Sequence, residues 1–351
     1  MRVAIVYNQM EDPADLSERD VLVQRDDVLA GLRRLGHDVV CLACSLNLEQ
    51  LRQDLTASRP EVVFNLVESL GGTDRLMPLA PLLYEALGIP FTGADSRAIM
   101  TTSDKLGAKQ QMLEHGLPTP AAYFLGEADR LVGSADGVGI DPHGSMLETP
   151  GGDRDQPLAD AVIIKAIYEH ASFGMDDEAI LWRPSAPELR ERLLGRQRLS
   201  SEPHFAERYI DGREFNLTLL DGPHGPRVLP AAEIDFSAFA AEKPRIVGYR
   251  AKWEETSYEY QHTPRRFVRA ADEADLLSRL EELADKCWDV FRLKGYARVD
   301  MRVDLYGQPW VLEVNANPCL SPDAGFAAAV AQAGISYDEA LAAILEATTA
   351  R

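Results

Sequence analysis

Polar and apolar residues alternate along residues 298–304, with Arg298, Asp300, Arg302 and Asp304 on one side and Val299, Met301 and Val303 on the other. That is the period of a strand with one buried face. Residues 305–309, with Gly307 and Pro309, supply a turn, and residues 310–315 make a second strand, so the stretch reads as a hairpin. Elsewhere the period lengthens: Leu276, Leu277, Leu280, Leu283, Ala284, Cys287, Val290 and Phe291 predict an amphipathic helix over 273–292. The chain opens with a strand at 3–7, a helix at 22–35 and a strand at 39–42, a βαβ unit. A third strand at 62–66 is followed by Gly71, Gly72 and an apolar helix at 78–87, and the tail at 323–345 reads as helical.

On the second strand of the hairpin Glu313 and Asn315 are two apart and share a face, and a hairpin register can bring Asp300 beside them. Two carboxylates and an amide oxygen form a hard oxygen set that suits Mg²⁺, with Mn²⁺ as an alternative, and does not suit zinc or copper. Arg298 shares the face of Asp300 and offers a planar cation to phosphate oxygens or a developing oxyanion. The bland alternative is a solvated hairpin with incidental charges. Lys165 interrupts the apolar run at 161–166, and a buried lysine needs an anion or a carboxylate beside it. Residues 169–175 form a loop of small residues whose N–H groups can fold over phosphates. Glu18, Asn65 and Glu68 fall where an open parallel sheet usually holds its ligand, with capping and solvation as the competing explanation. Ser103 is a reasonable N-cap for a helix beginning near Lys105. Residues 205–220 read as strand, turn and strand, and 126–160, rich in Gly, Asp, Pro and Ser, as an extended loop without chemistry.

With 36 basic against 56 acidic residues among 351, the formal charge of −20 sets net repulsion against nucleic acid or an anionic membrane. Any bound phosphate needs local cations or metal. The start enters an apolar strand directly, without a signal-peptide pattern, and no run approaches membrane-spanning length, so the expectation is a cytoplasmic protein without membrane or nucleic-acid partners. Cys41, Cys44, Cys287 and Cys319 form no evident framework and have no ligand spacing for zinc.

The run Arg298, Val299, Asp300, followed by Glu313, Val314, Asn315, Ala316, Asn317 and Pro318, resembles the metal-binding end of ATP-grasp enzymes, in particular the D-alanine–D-alanine ligase group. Four further stretches resemble that group in the same order: 17–21, the junction at 90–120, the strand lysine with its loop at 165–175, and residues 205–220 with the segment 248–253. The resemblance implies that Lys105, Lys165 and Ser172 contact nucleotide phosphates, that Glu207, Arg208, Tyr209 and Ile210 form the adenine hinge, and that Glu214 holds the ribose. It also implies that Lys252 meets the γ-phosphate, that Asp300, Glu313 and Asn315 hold the metal, and that Glu18, Glu68 and Arg298 serve substrate and catalysis. Departures occur at His170, Ala171, Trp253 and residues 319–324, where the group has glycine, serine, tyrosine and a Gly-Met-Thr-Ser-His-Ser run.

The implied fold is α/β, with α+β character in the ATP-binding part. An N-terminal open parallel-sheet domain (1–100) precedes a small central ATP-grasp subdomain (101–205) and a C-terminal catalytic domain (206–351). The implied activity is ATP-dependent joining of a small-molecule carboxylate to an amine through an acyl phosphate, with a homodimer as the family-level expectation. The departures point to an amino-acid-like substrate other than D-alanine. Three readings remain beside it: a true D-alanine–D-alanine ligase, a small-molecule kinase on the same scaffold, and a non-catalytic nucleotide-binding module.

Overall fold

The computed structural model describes residues 1–10, 16–133, 158–169, 174–200, 202–222, 225–268 and 270–349, with the side chains of 16–18, 270, 272 and 349 left out. The opening unit is β1 (Arg2–Asn8), α1 (Leu16–Arg34), β2 (Asp38–Cys44), α2 (Leu48–Ser58), β3 (Val62–Leu66) and α3 (Leu79–Leu87). Its strands form a parallel sheet in the order β2-β1-β3. Strands β1 and β3 are buried almost throughout, as parallel strands covered on both faces must be. Helix α1 starts earlier than its apolar period suggests, because its first turn is polar, and so Glu18 and Asp20 lie on a helix and not in a loop.

The chain continues through α4 (Ser96–Ser103), α5 (Lys105–Glu114), β4 (Ala122–Leu125), β5 (Leu131–Gly133), β6 (Ala161–Ala166), β7 (Ile180–Trp182), α6 (Ala186–Ser200) and β8 (His204–Arg208). Ser103 does not cap the second of these helices: it ends the first, its hydroxyl donating to the Ile99 carbonyl at 2.7 Å. The cap of α5 is Asp104, whose side chain accepts from Leu106 and Gly107 at 3.1 Å each. The five strands pair antiparallel in the order β5-β4-β8-β6-β7. The extended loop expected at 126–160 is interrupted by β5, and residues 134–157 lie outside the described part.

The third sheet is built from β9 (Gly212–Leu220), β10 (Arg227–Val228), β11 (Ala232–Ile234), then α7 (Tyr249–Trp253), α8 (Tyr258–Gln261), β12 (Arg265–Phe267), α9 (Ala270–Phe291), β13 (Tyr296–Asp304) and β14 (Pro309–Asn315). Its order is β12-β11-β9-β13-β14, with β10 beside β9. The strand, turn and strand expected at 205–220 is present, but β8 belongs to the central sheet and β9 to this one. The alternation of β9 and β13 sends Phe215, Leu217, Val299 and Met301 into a core with Leu277, Leu280, Ala284 and Phe291 of α9. Each such side chain, fully buried, contributes roughly 1.5–3 kcal/mol. The opposite face therefore carries the polar residues Glu214, Asn216, Arg298, Asp300, Arg302, Glu313 and Asn315, which line a cavity.

Two last helices, α10 (Gly325–Gln332) and α11 (Tyr337–Thr349), return to the first sheet, where Phe326, Val330, Leu341 and Ile344 join Val3, Ile5, Val62 and Phe64 in one core. The tail is helical as expected, in two helices with a turn at Gly334. The first and third sheets meet where Tyr296, buried and edge-on to Phe326, donates to Asn317 Oδ1 at 2.8 Å and to the Asn65 carbonyl at 3.4 Å. Beside it Gly295 has φ +71° and a Cβ there would meet Gly93 backbone atoms at 3.0 and 3.1 Å, so the crossing requires glycine. Among the described residues no helix is long and apolar enough to cross a membrane.

Candidate active site

The cavity, about 630 Å³, is floored by the polar face of the third sheet and walled by the central sheet, the first sheet's loops, α7 and the start of α10. On its floor the hairpin register places Asp300 directly opposite Glu313 and Arg298 opposite Asn315, with a bulge after Asp300. Asp300, Glu313 and Asn315 are thereby brought together as their spacing suggests. Arg298 is not a free cation: its Nε and Nη2 donate to Asp300 Oδ1 and Oδ2 at 2.7 and 2.8 Å. Asn216 Nδ2 adds a bond to Oδ1 at 2.8 Å. Burial disfavours the charged guanidinium, but Asp300 more than offsets this, so Arg298 stays protonated at any working pH.

The central wall holds the lysines. Lys165 ion-pairs Glu207, supplying the carboxylate that its apolar strand demands. Lys109 reaches the other oxygen of Glu207 at 2.7 Å and also donates to Thr119 Oγ1 at 2.8 Å and the Pro120 carbonyl at 3.1 Å. Burial alone would raise the Glu207 carboxyl; the two lysines hold it below the ordinary carboxylate range. Lys109 was missed in the sequence, although its place four residues after Lys105 on a helix puts both on one face. Lys105, at the first position of α5, donates to the Glu169 carbonyl.

The segment after β8 is braced from within. The N–H groups of Arg208 and Tyr209 donate to the Ala121 and Ala161 carbonyls at 2.8 and 2.9 Å, and the Ile210 carbonyl accepts from Arg302 Nη1 at 3.1 Å. Backbone groups expected to face a base are in these cases already engaged by the protein. Arg302, 3 % exposed, also fixes Glu214, donating to its Oε2 from Nε and Nη2 at 3.1 and 2.7 Å. The Arg208 guanidinium lies over the Trp310 ring at 4.4 Å.

The segment at 248–253 forms α7 at the cavity edge. Tyr249 N–H donates to the Met175 carbonyl at 3.1 Å, and a Cβ on Gly248 would overlap that same carbonyl, so the close approach depends on glycine. Lys243 ties this region down, bonding Asp177 at 2.9 Å and Glu259 at 3.0 Å. Enclosure and the neighbouring Arg298 charge hold Lys252 below the ordinary lysine range, against the pull of Glu313, Asp300 and Glu214.

At the remaining end Glu68 lines the cavity and its Oε1 accepts from Gln24 at 2.6 Å. Asp20 accepts from the Cys319 thiol at 3.1 Å and the Ser321 hydroxyl at 3.2 Å. These two sit in the stretch where the sequence departs most from the D-alanine–D-alanine ligase group. Asn65 is corrected: it is 1 % exposed, accepts from Tyr84 at 3.3 Å, and does not line the cavity. The Glu18 side chain and Ser172 lie outside the described residues.

Among the described residues no three His, Cys, Asp or Glu side chains are grouped as a metal site. The cation site consistent with the floor is therefore two carboxylates and one amide oxygen, Asp300, Glu313 and Asn315. This donor set fits Mg²⁺, which takes few protein ligands and keeps waters and phosphate oxygens for the rest.

Residues 187–346 match the model of the D-ala D-ala ligase C-terminus family. Over nearly its whole length the chain is similar to D-alanine–D-alanine ligases. Over 356 residues it is 28 % identical to the D-alanine–D-alanine ligase of Chromohalobacter salexigens, covering 99 % of this chain and 94 % of that one. It is also 28 % identical over 326 residues to the uncharacterized protein y4sG of Sinorhizobium fredii, covering 92 % and 86 %. Among solved structures, D-alanine–D-alanine ligase of Bacillus anthracis complexed with ATP superposes with a TM-score of 0.67 at 21 % identity, covering 99 % of this chain and 96 % of that one. The chain shares its fold with that structure over nearly its whole length.

Proposed function

We propose that this chain is an ATP-dependent ligase that joins a carboxylate to an amine through an acyl phosphate, on amino-acid-like substrates. The observation that carries the reading is the floor of the cavity: Asp300, Glu313, Asn315 and Arg298 on paired strands, facing the lysine of α7 and walled by Lys105 and Lys165. Support comes from the curated relatives named D-alanine–D-alanine ligase and from the structural neighbour that was solved with ATP.

The roles are those that the resemblance implies. Lys105 and Lys165 neutralise nucleotide phosphates, Glu214 and Glu207 orient ribose and base, and Lys252 meets the γ-phosphate. Mg²⁺ held by Asp300, Glu313 and Asn315 supplies charge neutralisation of the phosphate oxygens. The γ-phosphoryl passes from ATP to a carboxylate oxygen, with ADP as the leaving group; the amine nitrogen then attacks the acyl carbon, loses its proton, and expels inorganic phosphate. Arg298, positioned by Asp300, stabilises the oxyanion of that attack.

We place the substrate outside strict D-alanine pairing. Trp253 stands where the resemblance implies a tyrosine after Lys252, and Asp20, Cys319 and Ser321 form a polar cluster where the ligases carry a different run. A pocket with different hydrogen-bonding groups selects a different partner. The decisive experiment is Mg²⁺-dependent ADP release over L- and D-amino acids and other carboxylates, alone and in pairs, with products read by mass. Release that needs a pair and gives a product one water lighter than the sum establishes the ligase; release with one compound and a stable phosphorylated product means a kinase. D-alanine turned over with itself at ordinary rates would overturn the substrate assignment.

A further inference from the structure

One charge in the cavity lacks a counterpart. Arg265, on edge strand β12, lines the cavity, and its Nε is buried without a hydrogen-bond partner. Among the described residues no carboxylate comes within 4.0 Å of it to form an ion pair. By contrast Arg298 is neutralised by Asp300, Arg302 by Glu214, and Lys165 by Glu207. An arginine held in a partly dry site without an anion is costly unless a ligand supplies one.

Its neighbours say which ligand. Gly325, at the start of α10, lies flat against the guanidinium: a Cβ there would stand 3.5 Å from Nη2 and 3.9 Å from Nε. Asp323, Tyr260 and Arg298 are the charged or titratable groups that act on it. Asp323 and Gly325 follow Cys319 and Ser321 in the chain, with Cys319 sharing the cavity lining, and none of these residues belongs to the central sheet that carries Lys165 and Glu207. The empty guanidinium edge is therefore on the substrate side and away from the base-binding wall.

We propose that Arg265 clamps a spectator carboxylate, one that is not phosphorylated, on the amine substrate. This rests on the ligase reading above and deepens it: the acceptor is an amino acid or a peptide with a free carboxylate, not a simple amine. A carboxylate held by a guanidinium fork is charge-neutralised and has its oxygens occupied, which makes it a poor nucleophile toward the γ-phosphoryl. The clamped group thus belongs to the partner that attacks through nitrogen. The anion that fills the site is an oxyanion in either case, and the test separates a substrate carboxylate from the γ-phosphate.

ADP release is measured for the wild type, Arg265→Met and Arg265→Lys across the amino-acid panel, each amino acid being offered also as its carboxamide. The expectation is a preference for the free carboxylate of about tenfold or more in kcat/KM. Arg265→Met loses it through KM for the amine, with KM for ATP unchanged within about twofold, and Arg265→Lys restores part. Equal use of carboxamides by the wild type, or a change confined to KM for ATP, overturns the clamp, the latter assigning Arg265 to the phosphate. If no pair releases ADP, the ligase reading falls on its own. Arg265 is then decided by the thermal midpoint of protein saturated with Mg²⁺ and a non-hydrolysable ATP analogue. Stabilisation by amino acids but not carboxamides, abolished in Arg265→Met, upholds the clamp, and equal or absent stabilisation overturns it.

Discussion

Arg298 grips Asp300, two residues along the same strand, through two parallel bonds of 2.7 and 2.8 Å. The cation assigned to the oxyanion and a carboxylate assigned to the metal are therefore one unit. Arg298→Ala is expected to keep nucleotide binding and to lose turnover by about 10²–10³. Arg298→Lys, which cannot make the fork, is expected to recover little. Nucleotide titration beside single-turnover kinetics checks this, and unchanged turnover in Arg298→Ala would remove the residue from the mechanism.

Lys109 makes no claim on substrate, yet it shares Glu207 with Lys165. Lys109→Met is expected to raise KM for ATP about tenfold, because Glu207 then draws Lys165 wholly to itself. It is also expected to cost roughly 2 kcal/mol at neutral pH, less than a fully broken buried pair since one lysine remains. The carboxyl of Glu207 is held below its ordinary range, so its contribution is present above the unfolded value near about 4.3 and fades as pH falls through the folded one. Urea midpoints for variant and wild type should therefore converge toward about pH 4 and below. A gap that widens there contradicts the assignment.

Lys252 is held below the ordinary lysine range by enclosure and by Arg298. If its cation meets the γ-phosphate, kcat falls on the alkaline side before a solvent-exposed lysine would titrate, at about 10.4. The control is Lys252→Arg, whose guanidinium stays charged throughout and should move that limb upward. A wild-type profile flat to about pH 10 would exclude a required Lys252 cation.

Gly248 allows α7 to approach Met175 with no Cβ between them. Gly248→Ala should push α7 off the central wall, lowering kcat by about tenfold while leaving the thermal midpoint nearly unchanged, because the contact is at the cavity rim. Equal losses of activity and stability would mean that the contact supports the fold instead.

The sequence carried much of this site because its signals are local. The two-residue alternation around Arg298 and Asp300 dictates one polar and one apolar face, and the turn at Gly307 dictates which residues pair, so the Asp300–Glu313 register follows from short-range chemistry. Lys165 announced a carboxylate partner by being buried. What stayed hidden depended on the third dimension: that β8 and β9 belong to different sheets, that Asn65 faces Tyr84, and that Arg265 reaches the cavity from an edge strand. Nothing in a lone arginine of a three-residue strand distinguishes it from a solvated one.

Helices α10 and α11 seal the sheet formed by β1 and β3. The ribosome therefore makes one face of that sheet well before its cover. Until residues 325–349 emerge, Val3, Ile5, Val62 and Phe64 remain partly bare, and the earliest part of the chain is among the last to finish folding. Chaperone dependence during synthesis is the expected result of a fold in which later residues close a core that earlier ones begin.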